Sequence, residues 1–473
     1  MEWSKLLSAE RERKNTGDGT HKKNPTDLRS EFEKDYHRII GSASFRRLQD
    51  KTQVFPLDKS DFIRTRLTHS MEVSSFAKSL GQNIGENILA YQKDENFTPQ
   101  MKEDICNILQ CAGLIHDIGN PPFGHFGELA IRDWFRRNLK ELEFKGKKIA
   151  EVLPEAMRED LYHFEGNAQA LRLVTKLHYL VDERGMNLTY GLLGTIIKYP
   201  VSSMEIREQS DDIKEKKLGY YQADREMFEA IQVTTGTDGK RHPLAFILEA
   251  ADDIAYKTAD IEDAFVKGFL SYHTICEELK ALPHSSEEDG FDALKKLEEL
   301  YQTAINRGEE NPEEYAVKNW IVRVQSFLIR CATLGFTSNY QEIMEGTYKQ
   351  DIFHGTAAEK LMDLLGDMAH RRVFTSYQIY KMEVIESAIL NFLMDRFVKA
   401  VIYYDVEDAK MDAIDERFIS FISDNYKRAY HYHSMGKSEE EKLYLRLLLV
   451  TDYICGMTDS YAKRLYQELT GIF

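Results

Sequence analysis

Apolar residues recur at helical spacing through nearly the whole of this sequence. From Tyr36 almost to the last residue they return every three or four positions, and alternating, strand-like stretches are few. No internal repeat of the kind that builds solenoids is found. Only 10 prolines interrupt 473 residues that are rich in Leu, Glu, Lys and Ala, a composition typical of helical proteins. The pattern predicts an all-α fold.

The length of the chain predicts more than one helical unit, since single hydrophobic cores stop growing at roughly 250 to 300 residues. Residues 1–35 are polar and contain the turn-forming segments TGDGT and KNPTD, which indicates an exposed amino-terminal arm that can fold onto another part of the protein or onto a neighbouring subunit. A charged stretch at 284–310 marks the predicted boundary between a core at 36–283 and a carboxy-terminal helical region at 284–473. We expect this last region to complete the pocket and to make oligomer contacts. The charged residues at 204–217 are interpreted as solvated.

Hydropathy, cysteine content and charge exclude several classes of protein. No run approaches the ~18 consecutive apolar residues of a membrane span, and the amino terminus lacks a signal-like segment, so we expect a cytoplasmic protein without membrane contact. The five cysteines form no CxxC pair, which predicts buried reduced thiols. A net charge of −16 argues against general attraction to nucleic-acid backbone. If such a protein acts on a polyanion, metal ions and a few Lys or Arg must supply the cations.

Two predicted helices place metal-binding residue types on apolar stripes. A helix is predicted to follow RTRLTHS, and His69 of that segment lies on the same face as Val73 and Leu80 of the helix. A lone histidine in this position is as a rule a hydrogen-bonded core residue, so His69 needs partners to be a ligand. The next helix begins at the cap Thr98-Pro99 and ends at GNPP, with His116 and Asp117 in its last turn. Adjacent side chains diverge by about 100 degrees on a helix, so they converge on one ion only where a helix ends.

A third helix begins at Pro243 and carries Asp252 on a stripe of small and branched residues. A buried carboxylate needs a cation, a hydrogen-bond network or solvent beside it. Tyr256 and Asp260 follow at four-residue steps, which predicts one polar wall of a pocket, the alternative being a solvated helix edge. With the two histidines and Asp117, this set suits Mn²⁺, Mg²⁺, Fe²⁺ or Zn²⁺ with positions left for water and phosphate. Hydrolysis of a phosphate ester is the chemistry that it favours.

The segment NPPFGHFGELAIRDW follows the second helix and is predicted to be a constrained loop before a new helix that begins near Glu128. His125 lies in that loop between Gly124 and Gly127. A histidine beside a metal site can act as general acid or base, with Glu128 orienting its ring, whereas loop histidines are otherwise merely exposed.

These motifs resemble the bacterial dGTP triphosphohydrolase family within the HD superfamily. The matching segments extend over most of the chain: HRIIGSASFRRLQDKTQVFPL at 37–57, RTRLTHSMEV at 64–73, GLIHDIGNPPFGHFGE at 113–128, HFEGNAQALRLV at 163–174, EAADDIAYKTADIEDA at 249–264 and DYICGMTDSYA at 452–462. The resemblance implies an HD-domain helical core with an additional carboxy-terminal helical subdomain. It also implies hydrolysis of dGTP to deoxyguanosine and tripolyphosphate by attack of water at the α-phosphorus.

The resemblance also assigns roles to individual residues. It implies a divalent metal ion, Mg²⁺ or Mn²⁺ with Fe²⁺ or Zn²⁺ as alternatives, and His125 acting at the bond between O5′ and the α-phosphorus with Glu128 as its partner. The implied metal ligands are His69, His116, Asp117 and Asp252, with Asp253 a neighbour on the helix face. The implied substrate contacts are Arg66, Lys198, Tyr199 and Tyr256 at the phosphates, and Gln53 and Asp260 at the 3′-hydroxyl. His163 is left out of the site, and the sequence does not choose between Arg371 and Arg372 as a further cation.

Members of this family commonly assemble, so we expect a homo-oligomer, a hexamer being our hypothesis. Allosteric nucleotides at subunit contacts and single-stranded DNA are further candidate ligands. Two alternatives stay open: a general dNTPase or other HD phosphohydrolase, and a catalytically silent protein that senses nucleotides. Intact metal-ligand types together with His125 and Glu128 argue against the silent protein.

Overall fold

The computed structural model describes residues 1–12, 27–54, 63–91, 93–178, 182–282, 291–407 and 409–472. The predicted all-α class is confirmed. The α-helices are α1 Trp3–Leu6, α2 Glu31–Ile40, α3 Ala43–Arg47, α4 Arg66–Ala90, α5 Pro99–Ile115, α6 Gly124–Asn138, α7 Ile149–Val152, α8 Glu155–Tyr162, α9 Gly166–Arg172, α10 Tyr190–Ile196, α11 Arg225–Thr235, α12 Pro243–Val266, α13 Tyr272–Leu279, α14 Ala293–Arg307, α15 Pro312–Ser338, α16 Tyr340–Glu345, α17 Glu359–Ala369, α18 Tyr377–Val401, α19 Ala413–Phe421, α20 Asp424–Ser434, α21 Glu439–Cys455 and α22 Asp459–Thr470.

The remaining regular structure consists of short segments. Strands β1 Glu143–Phe144 and β2 Lys147–Lys148 form an antiparallel hairpin. The 3₁₀ turns are Leu48–Asp50, Ser203–Glu205, Ile213–Glu215 and Gln222–Asp224, and the π-helical turns are Leu173–Leu177 and His370–Phe374.

Helices α4, α5 and α12 pack against one another and form the part of the core that carries the candidate ligands. Helix α15 also packs against α4 and α12. The α4–α5 crossing is close at Gly113, where a Cβ atom would lie 2.5 Å from the Cα of Ser74 and 2.6 Å from its backbone nitrogen. Any larger residue at this position would push the two helices apart, which would also move the residues that follow α5.

The predicted helix starts are confirmed at α5 and α12. The Thr98 side chain accepts the N–H of Met101 at 3.2 Å, and Pro99 occupies the first helical position, where its missing N–H costs nothing. Pro243 has the same place in α12. These local signals fix where each helix enters the core.

The first twelve residues pack onto the rest of the chain. Trp3 and Leu6 are buried, and the Trp3 indole N–H donates to the Tyr340 hydroxyl at 2.7 Å. Arg11 pairs with the buried carboxylate of Asp35 at 2.5 Å. The buried apolar side chains form one connected cluster that includes both Trp3 and Leu465. The predicted boundaries at 35 and 283 stay a prediction, and residues 13–26 and 283–290 within those calls lie outside the described residues.

All five cysteines are buried free thiols, as the sequence predicted. Within the described part of the chain, no helix combines the length and the hydropathy that a membrane crossing requires.

A buried acid on α18 gives the fold a testable pH dependence. Glu386 is 1% exposed, and neither of its carboxylate oxygens has a hydrogen-bond partner among the described residues. Burial, and then the charges of Asp459 and Glu383, raise the pKa of Glu386 from 4.5 to about 8. Folding therefore binds a proton between these two values, so this group's contribution to stability is full below 4.5 and is lost as the pH rises through about 8.

We expect Glu386→Gln to leave stability nearly unchanged near pH 4, below the unfolded value of 4.5, and to raise it by on the order of 2 kcal/mol near pH 9, because glutamine stays neutral at both. Denaturant midpoints at the two pH values measure the effect. Glu310→Gln, at an exposed turn position, is the control. A stabilisation that does not grow with pH would show that Glu386 is ionised in the folded protein.

Candidate metal centre and its surroundings

Three side chains from separate parts of the chain converge where α4, α5 and α12 meet. His69 lies on α4, His116 caps the end of α5, and Asp252 lies on α12. One ligand atom from each lies within 4.8 Å of the others. The Asp252 Oδ1 atom is 3.1 Å from His69 Nε2 and 3.3 Å from His116 Nε2. The predicted convergence of these three residues is therefore present.

The donor chemistry of this cluster fits a divalent metal ion. His116 Nδ1 lies 2.8 Å from the Gly113 carbonyl oxygen, and because a carbonyl only accepts, Nδ1 must carry the proton. Its Nε2 lone pair is then free, and that buried atom has no hydrogen-bond partner among the described residues. A backbone contact that fixes the tautomer and leaves the other nitrogen unpaired is typical of metal-binding histidines.

Asp117 is not one of the three clustered residues. Its carboxylate is paired with the Arg66 guanidinium and accepts from the Asn120 amide at 2.8 Å, while its Oδ2 lies 3.6 Å from His116 Nε2. Burial would raise the pKa of Asp117, but Arg66 and then His116 hold it below its usual value. Asp117 thus stays charged beside the cluster, and its role as a fourth ligand stays a prediction.

Two buried cations border the cluster. Arg66 pairs with Asp117, and Lys198 donates to Asp252 Oδ2 at 2.8 Å. Burial would lower the pKa of Lys198, but the carboxylate of Asp252 keeps it raised above its usual value. Lys198 is therefore charged at neutral pH beside Asp252. Together with the guanidinium of Arg66, it makes an arrangement suited to an incoming polyanion.

His125 lies in the first turn of α6, so the predicted loop ending near Glu128 is wrong by four residues. Phe123 adopts a left-handed conformation with φ of 65°, which turns the chain sharply enough for α6 to begin at Gly124. Gly127 is required inside the helix, because a Cβ there would collide with the Pro122 carbonyl oxygen. Glycine has a low helix propensity, which is why the sequence predicted a later start.

His125 and Glu128 form the predicted pair. The His125 side chain is 72% exposed, and its Nδ1 lies 3.3 Å from Glu128 Oε2. Glu128 is buried and also accepts the Gly166 N–H at 2.8 Å. The hydrogen bond to Glu128 and then its charge raise the pKa of His125. The His125 imidazole is therefore accessible, and its Nδ1 side contacts the Glu128 carboxylate, which the Gly166 N–H holds in place.

The predicted substrate residues include buried polar atoms for which the described part of the chain offers no hydrogen-bond partner. Asp260 is buried on α12, and neither of its carboxylate oxygens has a hydrogen-bond partner among the described residues; the Gln53 Oε1 atom is in the same condition. The Tyr256 ring stacks on Phe374 with centroids 6.4 Å apart, and Tyr199 is half-buried. Burial is the main reason why the pKa of each tyrosine is raised, so both hydroxyls remain protonated and can donate hydrogen bonds.

Lys217 is a candidate site residue that the sequence interpretation missed. It ends the charged stretch 204–217 that was interpreted as solvated, yet its Nζ lies 3.4 Å from the buried Glu165 carboxylate. Its positive charge also acts on the His125–Glu128 pair, where it opposes part of the rise in the pKa of His125 that Glu128 causes. The only signal for it was its place beside the apolar segment that begins at Leu218, which is buried.

The sequence did not decide whether His163, Arg371 or Arg372 belongs to the site, and in the structure all three have partners outside the metal cluster. His163 donates from Nδ1 to the Glu159 carbonyl at 3.0 Å. Arg371 and Arg372 are exposed and both bind Glu278, at 2.9 and 3.0 Å.

A family model and full-length relatives both match this chain, and they agree with each other. A family model described as HD domain matches residues 66–225, which include His69, His116 and Asp117 but not Asp252. A deoxyguanosinetriphosphate triphosphohydrolase-like protein of Listeria monocytogenes is 47% identical over 476 residues, with 100% of both chains covered. A protein of the same description from Synechocystis sp. is 32% identical, again with 100% of both chains covered. A deoxyguanosinetriphosphate triphosphohydrolase of Yersinia enterocolitica is 31% identical over 93% of both chains.

Proposed function

Because this chain belongs to the deoxyguanosinetriphosphate triphosphohydrolase-like family of the HD superfamily, we propose that it is a metal-dependent dNTP triphosphohydrolase with dGTP as its substrate. The observation that carries the proposal is the cluster of His69, His116 and Asp252, bordered by the buried cations Arg66 and Lys198. A mixed imidazole and carboxylate set beside two cations matches a divalent ion and a phosphate chain.

In the proposed reaction, the oxygen of water forms a bond to the α-phosphorus while the bond from that phosphorus to O5′ breaks. O5′ takes up a proton, so the products are deoxyguanosine and intact tripolyphosphate. His69, His116, Asp252 and the proposed fourth ligand Asp117 would hold Mg²⁺ or Mn²⁺, which would supply Lewis acidity at a phosphoryl oxygen and lower the pKa of water. Fe²⁺ or Zn²⁺ would suit the same ligands.

His125 is our proposed acid for O5′. Its exposure lets it reach a substrate atom, and its raised pKa keeps the ring protonated nearer to neutral pH. Glu128 holds Nδ1, which leaves Nε2 as the atom that gives the proton. Glu128 itself is fixed by the Gly166 N–H, so the ring has a defined direction.

The remaining residues would hold the substrate. Arg66, Lys198 and Lys217 supply positive charge for the triphosphate, and Tyr199 and Tyr256 supply hydroxyl donors. The oxygens of Gln53 and Asp260 that have no hydrogen-bond partner among the described residues would accept or share the hydrogen of the 3′-hydroxyl, which would satisfy buried acceptors that otherwise cost free energy. Packing of the sugar against Tyr256 would exclude a 2′-hydroxyl by volume. Assembly as a hexamer and binding of an allosteric nucleotide or single-stranded DNA remain predictions.

The test is incubation of the purified protein with each dNTP and each rNTP in Mg²⁺ or Mn²⁺, with the products resolved by ion-exchange chromatography. Deoxyguanosine and tripolyphosphate from dGTP, absent with a His125→Ala control, are the expected products. Equal turnover of all four dNTPs would identify a general dNTPase. Release of orthophosphate or pyrophosphate would contradict attack at the α-phosphorus, and binding without turnover would favour the nucleotide sensor.

Lys217→Ala should lower kcat/KM for the dNTP about tenfold, mainly through KM, because one charge-assisted contact to the phosphates is lost. Steady-state kinetics measure the change. The adjacent Lys216→Ala is the matched control, since Lys216 is exposed and carries the same charge. Equal effects of the two substitutions would indicate general attraction of the substrate rather than a specific contact.

A further inference from the structure

The segment 452–462 has no role in the proposed reaction, yet one of its acids contacts two segments of the site. Asp459 is the first residue of α22 and is 2% exposed. Its Oδ2 accepts the Thr52 N–H at 2.8 Å, and its Oδ1 accepts the Phe123 N–H at 2.9 Å. Thr52 immediately precedes Gln53, and Phe123 lies two residues before His125. A single carboxylate therefore joins the backbones that present two proposed substrate-contacting residues.

A buried lysine makes a second bridge between the same parts of the chain. Lys51 is 3% exposed, and its ammonium group donates to the Asn120 carbonyl at 2.6 Å and to the Cys455 carbonyl at 2.7 Å. The two contacts are reciprocal. Lys51 donates to the backbone of the 452–462 segment at Cys455, and Asp459 of that segment accepts from the backbone next to Lys51 at Thr52. Their opposite charges attract across the same space.

The Phe123 contact falls where the backbone needs support. Phe123 has φ of 65°, a left-handed conformation that is unfavourable for a residue other than glycine. Its N–H is buried, so an acceptor is required there in any case, and a charged acceptor is stronger than a neutral one. The conformation that starts α6 at Gly124, and so sets the position of His125, is therefore held by a residue of α22.

We propose that Lys51 and Asp459 are positioning residues, which hold the Gln53 segment and the start of α6 in the arrangement that catalysis requires. The proposal rests on the proposed function of His125 and Gln53. It assigns a role in the reaction to the carboxy-terminal region, because α21 and α22 supply both the Cys455 carbonyl and the Asp459 carboxylate. It also extends to the border of the metal cluster, since the Asn120 carbonyl accepts from Lys51 and the Asn120 amide donates to Asp117, which lies beside the cluster.

The test uses Asp459→Asn in the full-length protein. An asparagine of the same shape keeps one acceptor oxygen and turns an NH₂ group toward the other N–H, so one of the two contacts is lost. We expect kcat for the dNTP to fall about 10- to 100-fold. Hydrogen exchange should accelerate at the Thr52 and Phe123 amides. Asp452→Asn is the matched control, because Asp452 is buried in the same motif but its carboxylate binds Gln169 and Arg172 instead.

A double-mutant cycle separates positioning from general destabilisation. If Asp459 acts through His125, Asp459→Asn should lower the residual kcat of His125→Ala much less than it lowers the wild-type kcat. Additive effects, or an activity loss no larger than that of Asp452→Asn at matched thermal stability, would overturn the proposal. Exchange at Thr52 and Phe123 reports on the contacts without any turnover, so a wild-type protein that hydrolyses no dNTP would reject the proposed function while leaving this measurement readable.

Lys51 carries the test if Asp459→Asn does not fold. Lys51→Met removes the donor and the charge, whereas Lys51→Arg keeps both. We expect Lys51→Met to lower kcat and to accelerate exchange at the same two amides, with Lys51→Arg recovering part of each. Equal behaviour of the two variants would contradict a role for the lysine's charge and hydrogen bonds.

Discussion

His116→Ala should release the metal ion and lower turnover by about a thousandfold or more, since Lewis acidity at the phosphate contributes several kcal/mol of transition-state stabilisation. His116 is the ligand candidate whose free Nε2 lone pair has no other partner among the described residues. Without His116, the Asp252 carboxylate keeps its contacts with His69 and Lys198 among the residues that the structure describes. The metal content of the purified protein, measured by mass spectrometry, and steady-state kinetics together test the expectation.

The control is His273→Ala, on α13, where the side chain is 82% exposed. A chelator should lower the thermal midpoint of the wild type, because an ion that binds only the folded state stabilises it by mass action. It should leave the midpoint of His116→Ala unchanged. Metal retained in full by His116→Ala would place the ion elsewhere and would remove the basis for the proposed ligand set.

His125→Ala should lower kcat about 10²- to 10⁴-fold while metal content stays at the wild-type level, because the substitution removes the proposed proton donor but no ligand. The side chain is exposed, so its truncation creates no cavity in the core. Kinetics under saturating substrate, together with metal analysis, distinguish this result from that of His116→Ala. A His125→Ala enzyme with wild-type kcat would mean that O5′ receives its proton from another group.

Glu128→Gln provides the second variant for this pair. The hydrogen bond to Glu128 and its charge raise the pKa of His125, so the substitution should lower that pKa. If His125 acts as an acid, activity is present while the ring is protonated and declines as the pH rises through its pKa. The alkaline limb of the kcat profile should therefore move to lower pH in Glu128→Gln. An unmoved limb would assign that limb to a different group.

The helices of the central core could be predicted from the sequence because their signals are local. The spacing of apolar residues gave α4, α5 and α12 their buried faces, and Thr98-Pro99 and Pro243 gave two of them their first residues. The types of residue suited to a metal were also visible, since imidazoles and carboxylates on apolar stripes are unusual. The motif at 113–128 was specific enough to indicate the family, and the full-length relatives confirm it.

The start of α6 shows where local reasoning fails. The prolines and glycines of NPPFGHFG predicted a constrained loop, but the left-handed Phe123 turns the chain at once into the helix. The Phe123 N–H is bound by Asp459, which lies far along the sequence. The interpretation of Lys217 as solvated was wrong for a related reason. A charged run is usually solvated, and it is the contact with the buried Glu165, distant in sequence, that holds this lysine in place.

The sequence by itself determined the helical class, the ends of several helices, the family and the kinds of side chain that can bind a metal. These depend on neighbours within a few turns of helix, where spacing and capping act. Only the tertiary structure decided that His69, His116 and Asp252 meet. It also decided that Asp117 pairs with Arg66 beside this cluster. The two bridges made by Lys51 and Asp459 likewise became visible only in the folded chain. Such contacts depend on how helices that are far apart in the sequence pack together. Once they are packed, each buried charge needs a partner, because an unpaired charge removed from water costs free energy.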